Sequence, residues 1–240
     1  MGPSRSSADE GESGLCAGPT TSYVNGEGPS FVRGLRGGRF RSFHVTPGPV
    51  PSPAFAIRPL RSADADAVRR LWDARFGGAP STQASWIEAA LDPTRSAAAF
   101  VATRRSGAEV LGVSLLDVGG RSYTRHYLGL DTLDAAVPLA DRNGIFHLSC
   151  VRSAWEGRGI GGAFFERRLA ELARRDVPRA VGVAWHRPDR VDSRVLFEKH
   201  GFVRHATVAR FYHRTGRRPH CPDCDDVCTC TASLYARPLR

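Results

Sequence analysis

The stretch "HLSCVRSAWEGRGIGGAFFERRLAEL", residues 147–172, decides how this chain is read. An apolar run gives way to polar residues after Val151, and Gly157, Gly159, Gly161 and Gly162 then fall within six positions, followed by a helical pattern. A strand that runs into a glycine-rich turn and then a helix builds an anion site. The first amides of the helix lack partners, the dipole is positive at that end, and absent side chains let a phosphate come close. Two common phosphate motifs are excluded. No Gly-Lys-Ser/Thr follows, as a P-loop needs, and glycines at every second position do not fit the G-x-G-x-x-G offsets.

The flanking segments supply the elements. "AFAIRPL" (54–60) alternates as a strand, and "SADADAVRRLWDARFG" (62–77) has Ser62 and Asp64 as capping residues with Ala67, Val68, Leu71 and Trp72 at helical spacing. "TQASWIEAAL" (82–91) reads as a second short helix. "AAAFVATRR" and "VLGVSLLDVG" read as two strands around a glycine turn, a hairpin. Residues 120–143 form a long polar connection, of the kind that carries function. Next come a strand (144–151), the helix after the glycines, a strand "RAVGVAW" (179–185) and a helix "RVDSRVLFEKH" stopped by Gly201. A strand "FVRHATVARFYH" (202–213) and a last strand "CTASLYARPL" (230–239) close the chain as a hairpin. The pattern predicts one α/β (α+β) domain over residues 55–240.

Residues 1–54 differ: they are rich in Gly, Ser and Pro and show no apolar period, so the segment is expected to be a disordered leader or a misassigned start. It has no continuous apolar core of a secretory signal. Between Pro29 and Ala63 there are six arginines and no acidic residue, a faint likeness to an organellar targeting segment. No run approaches the roughly 18 apolar residues of a membrane helix. The net charge of +10 is almost all arginine, since Lys199 is the only lysine. That fits acidic partners, and it also fits plain codon bias.

In the order Arg158-Gly159-Ile160-Gly161-Gly162-Ala163 the chain resembles the GNAT superfamily of acyl-CoA-dependent N-acetyltransferases, whose cofactor motif is Gln or Arg, two residues, Gly, one residue, then Gly or Ala. Val151, seven residues before the arginine, and the helix end Gly201-Phe202 stand where that family places them. The resemblance implies a GNAT-like fold with a mixed central sheet, flanked by helices and splayed between its central strands. It implies acetyl-CoA as co-substrate, with its diphosphate on the amides from Arg158 through Gly159, Ile160, Gly161 and Gly162 to Ala163. The pantetheine arm would lie along Cys150, Val151 and Ser153, and Phe197 would line the same site. Transfer would go to a primary amine, small-molecule or protein-borne, by direct attack. The expected setting is cytoplasmic, without membrane or nucleic-acid partners, and a homodimer is an accepted assembly.

An amine acceptor is protonated at neutral pH and must lose a proton before it attacks. His147 is the candidate base, because imidazole titrates near neutrality, and "FHLSCV" is similar to the strand that carries such a histidine in arylalkylamine N-acetyltransferases. Strand alternation puts Ile145, His147, Ser149 and Val151 on one face. Where the family often has a tyrosine to protonate the departing thiolate, this chain has Phe197, so Tyr212 or water would serve, or no donor would be needed, since a thiol pKa of about 8.5 makes the thiolate a tolerable leaving group. Tyr123, His126 and Tyr127 fall where acceptor contacts are expected. Two rival readings follow from these departures: a catalytically weak acyl-CoA-binding protein, or a zinc-containing nucleic-acid-binding protein.

"PHCPDCDDVCTC" places Cys221, Cys224, Cys228 and Cys230 within ten residues, after His220. Four thiolates at such spacing suit one structural zinc; a disulfide pair and free thiols are the alternatives, and His220 is an alternative ligand.

Overall fold

One seven-stranded sheet forms the frame of the computed structural model, which describes residues 54–187, 193–216, 221, 223–224 and 227–239. Residues 1–53 of the expected leader, and His220, lie outside the described residues. The strands are β1 (Phe55–Pro59), β2 (Ala98–Arg104), β3 (Val110–Gly120), β4 (Arg142–Val151), β5 (Arg179–Trp185), β6 (Val203–Val208) and β7 (Ala232–Pro238). They pair in the order β1-β2-β3-β4-β5-β7-β6, antiparallel except for the central β4–β5 pair. The helices are α1 (Ala65–Phe76), α2 (Pro80–Leu91), α3 (Arg121–Tyr127), α4 (Ile160–Arg174), α5 (Ser193–Lys199) and α6 (Phe211–Arg214).

Each helix forms where its apolar spacing provides a face to bury. On α1, Val68, Leu71 and Trp72 point at the sheet and meet Val101, Val113 and Leu115. Helix α2 starts on Pro80, whose missing N–H costs nothing in the first turn. On the other face, α4 buries Ile160, Phe164, Phe165 and Leu172, and α5 adds Phe197. Gly144 lets α4 sit directly on β4, because a Cβ there would collide with Leu172. Alternate residues of one strand separate cleanly, with Ala99 and Val101 toward α1 and Phe100 and Ala102 toward α4.

Two expectations are corrected. The connection 120–143 is not all loop, since α3 occupies its start, with Thr124 Oγ1 donating to the Gly120 carbonyl (2.8 Å). The strand expected over 202–213 ends at Val208. Arg210 adopts a left-handed φ of 53°, which turns the chain into α6. Gly201, with φ 73°, stops α5 as expected, and Phe202 N–H bonds back to the Phe197 carbonyl (3.0 Å). Among the described residues no helix is long and apolar enough to cross a membrane.

Candidate active site

Among the described residues, strands β4 and β5 pair only at Gly144–Phe146, after which β5 continues against β7 and β4 runs on to Val151 without a partner strand on that side. The sheet is thus open at its centre. Past Val151 a single 3-10 turn (Ser153–Trp155) leads to Gly157 and Gly159, with φ of 72° and 86°. A Cβ at either position would meet nothing within 4 Å, so glycine is required by the backbone conformation and not by crowding. The first intrahelical bond of α4 is Ala163 N–H to the Gly159 carbonyl (3.0 Å), and Gly159, at the N-cap, has no side chain with which to cap the preceding amides. The segment from Ser153 to Phe164 is therefore a turn followed by an uncapped helix start.

A cavity of about 930 Å³ joins this turn to the gap between β4 and β5. Of the residues expected at the cofactor, Cys150, Val151, Gly159, Ile160, Gly161 and Phe197 line it. Ser153, Arg158, Gly162 and Ala163 do not. Ser153 Oγ accepts from Arg75 (2.9 Å), the Arg158 guanidinium stacks over Trp155 (4.9 Å), and Ala163 packs under β1 and β2 beside Phe164. Burial pushes the Cys150 thiol up to about 12, so it stays protonated and inert.

His147 lines the cavity between the rings of Trp86 (centroids 4.2 Å apart) and Tyr127 (4.3 Å). The expected shared face of Ile145, His147, Ser149 and Val151 is corrected. The β3–β4 register runs Leu116 to Phe146 and then Ser114 to Ser149, so Leu115 faces both His147 and Leu148. This bulge inverts the alternation. Ile145 and His147 stay on the α1–α3 side together with Leu148 and Cys150, whereas Val151 packs on the α4 side. Of the three residues expected in the connection, Tyr127 reaches the cavity; Tyr123 and His126 do not line it. Tyr212 also lines the cavity, edge-on to Trp185 (5.5 Å). Phe197 is stacked flat on Tyr235 (4.8 Å) and packed against Phe146 and Phe165.

Several lining residues were not anticipated. Arg75 pairs with Glu156 of the turn and lies beside the cradle. Trp86 and Gln83 come from α2. Arg168, on α4, is 1% exposed, with its guanidinium over the rings of Phe146 (4.0 Å) and Phe165 (4.8 Å). Burial pulls it down to about 9, still protonated at neutral pH. The signal for it was present: Ile160, Phe164, Arg168 and Leu172 stand four apart, so an arginine occupies the helix's apolar stripe. Arg75 and Trp86 carried no such mark, because only packing brings their helices over the gap.

The four cysteines of the last connection come together, with their sulfurs all within 4.8 Å of one another. Cys221 and Cys228 are buried against Trp185, Tyr212 and Val208. The Cys221–Cys230 and Cys224–Cys230 sulfurs are 3.7 and 3.6 Å apart. The loop is tied to the cavity wall: Asp223 takes a two-pronged ion pair from Arg187, which stacks on Trp185 (4.2 Å) and donates to the Arg75 carbonyl (3.1 Å). Phe211 N–H donates to the Cys230 carbonyl (3.1 Å).

No protein-family model matches this chain, and no curated protein matches it. Solved structures do. The acetyltransferase of the GNAT family from Streptococcus pneumoniae superposes with a TM-score of 0.51 at 14% identity, over 77% of this chain and 98% of that one. The ribosomal-protein-S18-alanine N-acetyltransferase from Escherichia coli gives 0.51 at 17% identity, over 77% and 94%. A chain of the NatC complex, solved bound to Gag peptide and CoA, gives 0.51 at 14% identity, over 78% and 99%. The architecture is that of the GNAT N-acetyltransferases, a mixed sheet opened at its centre and flanked by helices.

Proposed function

We propose that this protein is an N-acetyltransferase that moves an acetyl group from acetyl-CoA to a primary amine, small or protein-borne, by direct attack. The observation that carries the reading is one cavity that joins uncapped amides at the start of α4 to the open centre of the sheet, with His147 on its wall. The amides around Gly159–Gly162 would hold the diphosphate, helped by the dipole of a 15-residue helix. The unpaired edge of β4 would take the pantetheine arm as an added strand and present a backbone N–H to the thioester carbonyl. His147, directly or through water, would take the proton of the acceptor ammonium. The amine then attacks the carbonyl carbon, the electron pair of the breaking C–S bond leaves on sulfur, and the nitrogen loses its second proton to solvent to leave the amide.

The cysteine cluster is read as one structural zinc. A tetrahedron with Zn–S bonds of about 2.3 Å has edges of about 3.8 Å, which the Cys221–Cys230 and Cys224–Cys230 separations of 3.7 and 3.6 Å approach, whereas a disulfide needs about 2.05 Å. Four thiolates leave no open position, so the metal would be a staple and not a catalyst. Through Asp223 and the Cys230 carbonyl it would hold Arg187, Phe211 and Tyr212, which line the same cavity as His147.

Calorimetry with acetyl-CoA, followed by thiol release across a panel of amines, tests the enzymatic reading. Saturable binding and acceptor-dependent thiol release are expected. Binding without turnover on any amine would leave a coenzyme A binding protein. No binding, together with salt-sensitive binding to DNA or RNA, would replace the reading altogether.

A further inference from the structure

A buried cation normally has an acidic partner, because taking a charge out of water costs several kcal/mol unless it is compensated. Arg168 breaks this pattern. Its one hydrogen bond is from Nε to the Phe164 carbonyl of its own helix (3.3 Å). Among the described residues no carboxylate pairs with it. On α4, Glu166 is exposed, and Glu171 is taken by Arg174 (2.6 Å) and Arg175 (2.8 Å) and by Arg167 at 3.9 Å. Two aromatic rings hold the guanidinium in place, yet rings do not neutralise it or fill its terminal donors. The ionisable group that influences it most is the phenol of Tyr127, across the gap on the α3 side.

The location says which anion is missing. Phe146, under the guanidinium, is the last residue of β4 that pairs with β5, so Arg168 sits where the gap closes. Phe197 touches both rings that flank Arg168, so the residue in the usual tyrosine position and the arginine share one aromatic nest. We propose that Arg168 takes over the task left open by Phe197, receiving on its guanidinium the thiolate that departs as coenzyme A. This rests on the acetyltransferase reading above. As the amine nitrogen bonds to the acetyl carbon it gives up its second proton to solvent, the C–S electron pair moves to sulfur, and the negative charge forms beside a fixed positive one. The guanidinium keeps its protons, and the thiolate is protonated from solvent after release. A charge already desolvated and oriented needs no rearrangement as the reaction proceeds, which is what makes such groups effective in a dry site.

The test uses the full-length protein. In the wild type, the ultraviolet absorbance of bound coenzyme A is followed against pH; its thiol is expected to ionise at least one unit below the roughly 8.5 of a free thiol. An unshifted thiol would overturn the proposal, and this measurement needs no variant. Arg168→Met should lower kcat about 100- to 1000-fold with the acetyl-CoA KM within a few-fold, the loss seen when one transition-state donor is removed. It should also erase any preference for coenzyme A over desulfo-coenzyme A. Arg168→Lys, which keeps the charge, should recover part of kcat. A merely structural arginine would change stability in Arg168→Met without moving the thiol ionisation or the desulfo comparison. An effect confined to the acceptor KM would show that the missing anion is a carboxylate on the amine substrate, and would also overturn the proposal. Absence of acetyl-CoA binding by the wild type would instead refute the acetyltransferase reading itself.

Discussion

Gly159 offers a clean test of the amide cradle. With φ at 86° it sits in the left-handed region, and a Cβ there would meet nothing within 4 Å. In Gly159→Ala all the cost is therefore conformational, about 1–2 kcal/mol for a non-glycine residue in that region. For a domain of this size that corresponds to a fall in Tm of roughly 2–8 °C. Relaxing the strain rotates the peptide planes that aim the amides of Gly159 to Gly162. Losing one hydrogen bond to a charged phosphate is worth about 1.5–3 kcal/mol, or about 10- to 100-fold in acetyl-CoA affinity. Gly216 is the control: it has φ 65°, also has open space at its Cβ, and lies outside the cavity lining. Gly216→Ala should lose a similar amount of Tm and keep the wild-type Kd. Thermal denaturation and calorimetry measure both quantities. If Gly159→Ala loses stability but binds acetyl-CoA as the wild type does, the amides do not hold the diphosphate. If Gly216→Ala weakens binding equally, the loss reports destabilisation alone.

Replacing His147 by Ala should depress turnover most at low pH, where deprotonating the amine is hardest, and an unchanged pH–rate profile would remove it from the mechanism. Metal analysis should find about one zinc per chain, and Cys224→Ser or a chelator should lower both Tm and the affinity for the acceptor amine; a metal-free protein with four alkylatable cysteines would discard the staple. Asp64 accepts from Arg58 at 2.6 and 2.8 Å, and that hydrogen bond, with the Arg61 N–H, holds its carboxyl below the usual range. A depressed folded pKa gives stability that is present above the unfolded value and lost as pH falls through the folded one. Asp64→Asn should therefore cost about 1–2 kcal/mol at pH 7, with the gap to wild type closing as pH drops below about 4. Equal differences at pH 7 and pH 3, measured by denaturant titration, would refute that account. Gly182→Ala should be strongly destabilising, since its Cβ would fall 2.5 Å from Phe197 Cζ, and full retention of Tm would contradict the packing described.

The sheet's strands and the major helices were legible along the chain because their signals are local. Apolar alternation marks β1, apolar runs around a glycine turn mark β2 and β3, period-four spacing marks α1 and α4, and Gly201 marks the end of α5. The glycine turn before α4 was legible for the same reason: left-handed turns ask for glycine within a few adjacent residues, so Gly157 and Gly159 announce them. The boundary at Arg210 was not, since a non-glycine residue at positive φ gives no sign of itself. Nor was the face on which Val151 falls, because the bulge opposite Leu115 is a matter of register between two strands more than thirty residues apart.

What residues 147–172 and their neighbours determined unaided is a strand, a glycine turn and a helix, in an order that matches a known architecture. The tertiary structure decided the rest: the gap past Phe146, the rings that enclose His147, and the arrival of Arg168 in that gap with no acid to meet it. The division has a physical basis. Backbone conformation is governed by near neighbours in the chain, whereas the charge balance and shape of a cavity depend on which distant segments pack together, and no single stretch encodes that.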